Sequence, residues 1–425
     1  MVRALGSILA EYWAQVRGAG RNAQLYLWGV FLFGVGQSIF SLLFNLYLRA
    51  LGFQDSSIGQ ILSKAALGAT VAAIPAAVLF RRFPFRSLLM LAAALTTVTC
   101  VLQATLTAPE LLLFVAFQSG MSIMVFRLSI APVIMRESEP GSRPFLFSAS
   151  FGVLFVAAIV GFLLGGALPH LLRLVTDVDR LALRGGLLAA SVVTLVAVIP
   201  FSMMREKPAG EGTPKPGALE MLRELAEVDW GVHLKLVAPA MLIGLGAGLI
   251  IPFLNLYFRD RYGLSEAEIG ILFAVMQGFM VLGNLFGPAV SRRFGLVGGV
   301  VATPLASVPF MVLLALPMPF LVAAGAFFFR GGLMNMNQPL ASHFAMEVVA
   351  RRDHAVTNSL LSLSWYLAWT VSAEMGGALI ERRGYTEPLL LAAGLYVAAS
   401  LLYWLFFRSV EEGRVPRGEV EIPDA

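Results

Sequence analysis

Asn45-Leu46-Tyr47-Leu48-Arg49 recurs with one change as Asn255-Leu256-Tyr257-Phe258-Arg259, 210 residues further on. One inserted residue then moves the offset to 211, where it holds: Gly52 meets Gly263 and Ile58-Gly59 meets Ile269-Gly270. Further along, Arg81-Arg82-Phe83 meets Arg292-Arg293-Phe294, and Gly165-Gly166 meets Gly376-Gly377. Packing needs alone would repeat small residues but would not keep one register across such separated matches, so the chain is read as a duplication.

Composition says what is duplicated. Of the 425 residues 58% are apolar and 13% charged, against about 25% charged in soluble chains, and the mean hydropathy is +0.79. A soluble globular reading is excluded, and a polytopic membrane protein remains. Twelve spans of about 21 residues fit over 24–49, 57–80, 85–107, 110–135, 144–169, 183–204, 232–259, 267–290, 296–316, 319–346, 355–379 and 387–408. Alternating strands are not needed, so no barrel is expected. The expected fold is all-α, with twelve transmembrane helices in two pseudo-symmetric six-helix bundles.

The boundaries follow from the polar stretches. Residues 1–204 read as an N-terminal six-helix bundle and 205–230 as a cytoplasmic linker rich in Pro and Gly, from Pro208 to Gly217. Residues 231–425 read as a C-terminal bundle with a short tail. Glu11, Gln15 and Arg17 interrupt the start, so 1–20 is read as a retained lead-in and not a signal peptide. Six spans return each half to the side where it began, which relates the halves by an axis along the membrane normal.

Net charge is +5, but the basic residues fall in short clusters between apolar runs. Arg81, Arg82, Arg86, Arg136, Arg205, Lys207, Arg292, Arg293, Arg351, Arg352 and Arg408 share one side, outnumbering those on the other, such as Arg49, Arg173, Arg259 and Arg382. The positive-inside bias places both termini in the cytoplasm, with a prokaryotic plasma (inner) membrane expected. Membrane lipids are therefore the expected partners; neither nucleic acid nor an obligate protein partner is indicated. Cys100 is the one cysteine, which excludes an intrachain disulfide and a thiolate zinc site. No phosphate-binding loop, His and carboxylate metal motif or nucleophile triad is found, so neither an enzyme, a cofactor nor a metal is expected.

With its two sixes of spans, its middle linker and its basic turn between spans two and three that recurs between eight and nine, the chain resembles the major facilitator superfamily of secondary transporters. The resemblance covers nearly the whole length. The family's loop motif is kept in part, as Leu79-Phe80-Arg81-Arg82-Phe83-Pro84-Phe85-Arg86 and Gly287-Pro288-Ala289-Val290-Ser291-Arg292-Arg293-Phe294-Gly295, with the customary aspartate missing from both copies. Gly152, Gly161, Gly165 and Gly166 in span five resemble the family's antiporter motif, with Gly166 in the place of its proline. The resemblance implies alternating access, and it marks Arg81, Arg82, Arg292, Arg293, Gly165, Gly166, Gly376 and Gly377 as gating candidates. Positive-inside topology and helix packing account for the same residues without gating.

Charges inside spans are expensive and mark function. Lys64 in span two, Arg127 in span four and Arg330 in span ten stand against a single acid well inside a span, Glu374 in span eleven. Arginine forks a carboxylate or phosphate and lysine supplies a point charge, which suits an anionic or zwitterionic solute. Glu374 is the candidate proton carrier; the structural alternative pairs it with Arg330 or Lys64. Gln37, Asn45, Gln118, Asn335, Asn337, Gln338 and Trp365 complete the candidate solute-binding set. The expected activity is secondary active transport of a small organic, amphiphilic or anionic solute, with proton-coupled efflux. The alternatives are proton-independent uptake or exchange of an organic anion, and a nontransporting receptor or scaffold.

Overall fold

Without water in the hydrocarbon to satisfy a bare N–H or C=O, a chain that spans a membrane must pair those groups within its own helices. The computed structural model describes residues 20–138, 143–205 and 229–411, and no strand occurs among them. The expected lead-in, most of the linker and the C-terminal tail lie outside the described residues. The helices are α1 (Arg21–Ala50), α2 (Asp55–Arg82), α3 (Phe85–Thr105), α4 (Pro109–Glu137), α5 (Arg143–Leu172), α6 (Asp179–Ser202) and α7 (Trp230–Tyr262). There follow α8 (266–294), α9 (296–315), α10 (Phe320–Val348), α11 (His354–Arg383) and α12 (Thr386–Glu411). Helices α8 and α9 run on from each other and are separated only by Gly295 at φ 74°, a conformation that a residue without Cβ adopts without strain.

Counting Glu266–Ala315 once, 8 of these helices are long and apolar enough to cross a membrane. Those outside that measure, α2, α10 and α11, hold Lys64, Arg330 and Glu374; polar residues lower a span's hydropathy and call for protein or water as neighbours. Irregularities fall where proline removes a backbone donor. Helix α4 turns at Ser129, ahead of Pro132, and α6 at Ala197, ahead of Pro200. Helix α7 passes through a short tight turn, Ile251–Phe253, around Pro252.

The described residues form two compact units. One holds 20–53, 67–138, 143–205 and 263–274; the other holds 54–66, 229–262 and 275–411. In the first, α1 packs along α5 and α6, and α3 along α4 and α6. Phe33 stacks on Phe126 at 3.7 Å between centroids, and Phe201 closes the cluster. In the second, α7 packs along α11 and α12, over a core that includes Leu236, Leu340, Phe344, Tyr403 and Phe407. Helix α7 thus has the neighbours that the repeat predicts from α1.

The five-residue match has a structural cause. Tyr47 Oη donates to the Ala104 carbonyl at 2.7 Å, near the end of α3, and Tyr257 Oη donates to the Leu314 carbonyl at 2.8 Å, near the end of α9. Each satisfies a carbonyl that the last turn of a helix leaves without an intrahelical partner. Gly52 and Gly263, also matched, both take positive φ, 91° and 66°.

Two short segments belong with the unit opposite to the rest of their helix. In the second unit the first turns of α2 cross α11 so closely that a Cβ on Gly59 would sit 2.6 Å from the Ala373 carbonyl and 3.1 Å from Gly377 Cα. In the first unit the first turns of α8 cross α5, where a Cβ on Gly166 would sit 2.7 Å from the Glu266 carbonyl and 3.2 Å from Gly270 Cα. Gly59 and Gly270 are repeat partners, as are Gly166 and Gly377, so both crossings use the same small residues to bring backbones together.

Candidate functional site

The membrane-embedded charges do not neutralise one another. Lys64, half-buried on α2, has no hydrogen bond or ion pair among the described residues. Glu374, exposed on α11, accepts a long hydrogen bond of 3.4 Å from Ser63 Oγ, the neighbour of Lys64 in sequence, and no cation pairs with it among the described residues. Both lie in the second unit.

Arg330 has turned the other way. It is 5% exposed and reaches α12, where Nη2 donates to Tyr396 Oη at 2.8 Å and the guanidinium sits 5.8 Å from the Tyr396 ring centroid. Its Nε has no partner among the described residues. A hydroxyl and a ring face hold this cation without a carboxylate, so the alternative that pairs it with Glu374 is not what the geometry shows. Arg127, near the turn at Ser129 in α4, is exposed and engaged in interactions of its own.

The amides divide between bonded and open. Asn337 is buried and donates to the Val300 carbonyl and Thr303 Oγ1, both at 2.9 Å, tying α10 to α9. Asn335 donates to the Met280 carbonyl on α8 at 3.0 Å. Gln37 reaches Cys100 Sγ at 3.8 Å, and Asn45 is buried. Gln118 and Gln338 are exposed. Trp365 is half-buried, 5.8 Å from Trp369 between centroids, and packs over Gly244 of α7.

Among the gating candidates, Gly166 and Gly377 form the two crossings. Gly165 and Gly376 face α1 and α7, where a Cβ would meet Ile39 Cα at 3.2 Å and the Leu249 carbonyl respectively. Arg82, Arg292 and Arg293 are exposed, with Arg293 over the Phe294 ring at 5.7 Å. Arg81 lies in the last turn of α2, and its side chain lies outside the described residues.

Two constellations escaped the sequence reading. Arg173, just past α5, holds Glu266 with Nη1 at 2.9 Å and Nη2 at 3.1 Å while its Nε meets Asp179 at 2.8 Å. The hydrogen bond to Glu266 is the main cause that pushes the Arg173 guanidinium above its ordinary pKa. The other is His233, buried at the start of α7 and bonded through both ring nitrogens. A histidine four residues after an acid, inside an apolar run, was the available signal for the second. Nothing in the sequence linked Arg173 to Glu266.

Twelve mostly apolar helices in a duplicated arrangement define a polytopic membrane protein, in which Lys64 and Glu374 pair with no opposite charge among the described residues. The family model of the Major Facilitator Superfamily matches residues 26–373 and again 240–424; the chain belongs to that superfamily. An uncharacterised MFS-type transporter of Yersinia pestis is 24% identical over 277 residues, covering 63% of this chain and 67% of that protein. Among solved structures, a bacterial homologue of the human lysosomal transporter Spinster, inward-facing and unoccupied, aligns with a TM-score of 0.74 at 15% identity, over 93% of this chain and 98% of that one. A mutant of the nucleoside transporter NupG aligns at 0.75 and 15%, over 91% and 100%. A D-xylose-proton symporter aligns at 0.72 and 16%, over 91% and 97%. At these identities the structures establish the shared fold. The protein is an integral membrane secondary transporter and not an enzyme.

Proposed function

We propose that the chain moves a small organic solute, amphiphilic or anionic, outward by alternating access, with protons returning in exchange and both termini in the cytoplasm. The observation that carries this reading is the state of Glu374. Among the described residues this carboxylate inside a span meets a serine hydroxyl and no cation, so no ion pair competes with a proton for it. Lys64, also without an acidic partner among the described residues, supports a solute that brings its own negative charge. One structural neighbour is a D-xylose-proton symporter, so the fold accommodates such coupling.

Proteoliposomes test both parts. An imposed proton gradient is expected to drive solute flux in the native protein, and Glu374→Gln is expected to abolish the gradient dependence while leaving solute exchange. Flux indifferent to the gradient in the native protein ends the coupling proposal. Arg127→Gln separates solute classes: an anion carrier loses charged solutes selectively, whereas equal loss of charged and neutral ones assigns Arg127 to folding or gating.

A further inference from the structure

His233 is 2% exposed, whereas His170 and His343 are exposed and His354 is half-buried. Its Nδ1 lies 2.8 Å from the Asp229 carbonyl oxygen, and its Nε2 lies 2.9 Å from Thr357 Oγ1 on α11. A carbonyl oxygen only accepts, so Nδ1 carries a proton in either charge state and the neutral tautomer is fixed. Nε2 is therefore the nitrogen whose lone pair can accept a further proton. Thr357 Oγ1 is placed to serve both states, because the Asp353 carbonyl is a second acceptor 2.8 Å away. With neutral imidazole the hydroxyl donates to the Nε2 lone pair. With imidazolium it accepts from Nε2–H and gives its own proton to Asp353. No heavy atom has to move, and no buried polar group is stranded in either state.

Among the described residues no charged side chain bonds to the imidazole. On α7, Asp229 Oδ1 accepts from the Gly231 N–H at 2.9 Å, and Lys235 is exposed. At the start of α11, Asp353 Oδ1 lies 3.7 Å from Arg352 Nε, Arg351 is exposed and His354 is half-buried. On α12, Arg408 sits over the Trp404 ring, and on α10 His343 and Glu347 face each other at 3.4 Å, both exposed. None of them takes either imidazole nitrogen.

We propose that His233 is a proton-binding site that joins α7 to the first turn of α11. Nε2 takes up one proton, the local charge rises by one, and Thr357 reverses its hydrogen bond. Protonation replaces the neutral bond at Nε2 with a charge-assisted one and frees the Thr357 hydroxyl to donate to the Asp353 carbonyl, so a hydrogen bond joins the helices in both states. The site is separate from Glu374 and does not rest on coupling there.

The test is nitrogen-15 spectroscopy of histidine-labelled, full-length protein in lipid nanodiscs, with His233→Gln to assign the signal. His233 is expected to show the Nδ1–H tautomer in the neutral form and to become doubly protonated as the pH is lowered. Thr357→Val, which removes the acceptor, is expected to lower the doubly protonated fraction at mildly acidic pH about tenfold, and Thr357→Ser to stay within about twofold of native. A native His233 that stays neutral at pH 5, or that shows the Nε2–H tautomer, overturns the proposal. So does a Thr357→Val protein that titrates like native. Should Thr357→Val not fold, the native titration and the Thr357→Ser protein decide alone. Glu374→Gln is expected to leave the His233 titration in place, so failure of proton-driven flux and failure of this site are read separately.

Discussion

The two repeat-related crossings, α5 with α8 and α2 with α11, share a glycine design and differ in what holds them. At α5 with α8 the start of α8 carries its own cap: Ser265 N–H and Oγ both donate to Glu268 Oε2, at 2.8 and 2.7 Å, and Glu268 N–H donates back to Ser265 Oγ at 3.3 Å. This is a reciprocal capping box, and the Arg173 fork on Glu266 is added to it. At α2 with α11 the equivalent start, Gln54 to Ser57, has no such box. Its Ser56 N–H is met by Glu381 Oε2 of α11 at 2.9 Å, and Gly384, at φ 72°, stands where the repeat would put Arg173. One helix start is completed locally and then ion-paired; the other borrows its cap from the helix it crosses. Duplication preserved the close approach and let the electrostatics diverge.

Removing the charge at the first crossing has the largest expected effect. Arg173→Met leaves Glu266, whose side chain is 3% exposed, buried without its cation, and should cost about 3 kcal/mol in a denaturant titration in detergent. Discounting for the quarter-exposed arginine keeps this at the low end of the range for buried pairs. A loss no greater than that of Asp179→Asn would remove the contrast between the crossings.

Wedging the helices apart comes next. A Cβ on Gly270 meets the Phe162 carbonyl and one on Gly377 meets the Asp55 carbonyl, both backbone atoms that cannot swing aside. Gly270→Val and Gly377→Val should each cost about 1 to 3 kcal/mol and widen the distance between spin labels on the paired helices. Similar losses at both sites would confirm a shared packing role; a loss at one alone would show that the repeat is not functional there.

Glu381→Ala should cost about 0.5 kcal/mol, since an exposed cap is partly replaced by water, and amide exchange should quicken in the first turn of α2 but not in that of α8. Asp179→Asn, at a side chain 68% exposed, should change stability by less than about 0.5 kcal/mol. A larger effect would mean that Asp179 orients Arg173 and does not merely accompany it.

Much of the fold was legible in the chain. Apolar runs of spanning length gave the helices, and the repeat gave the duplicated plan in which α7 packs on α11 and α12 as α1 packs on α5 and α6. The glycines singled out as gating candidates proved to sit at helix crossings, because the need for small residues at close approach is itself a sequence pattern. The charges were legible as charges and illegible as partners. Arg330 and Glu374 are both rare intramembrane ionisable residues, yet one reaches Tyr396 on α12 and the other Ser63 on α2, choices that depend on which face of each helix meets which neighbour. His233 was passed over because its environment is supplied by Thr357, 124 residues away.

Sequence by itself determined the solvent this protein lives in, its twelve helices and its duplicated plan, since hydropathy, helix length and internal register are properties of residues along one line. Only the tertiary structure decided which buried charges are satisfied, which helix start borrows its cap, and that His233 has an acceptor ready on each ring nitrogen. A hydrogen bond is set by distances of about 3 Å between atoms that the chain brings together from far apart, and that geometry exists only after the helices have packed.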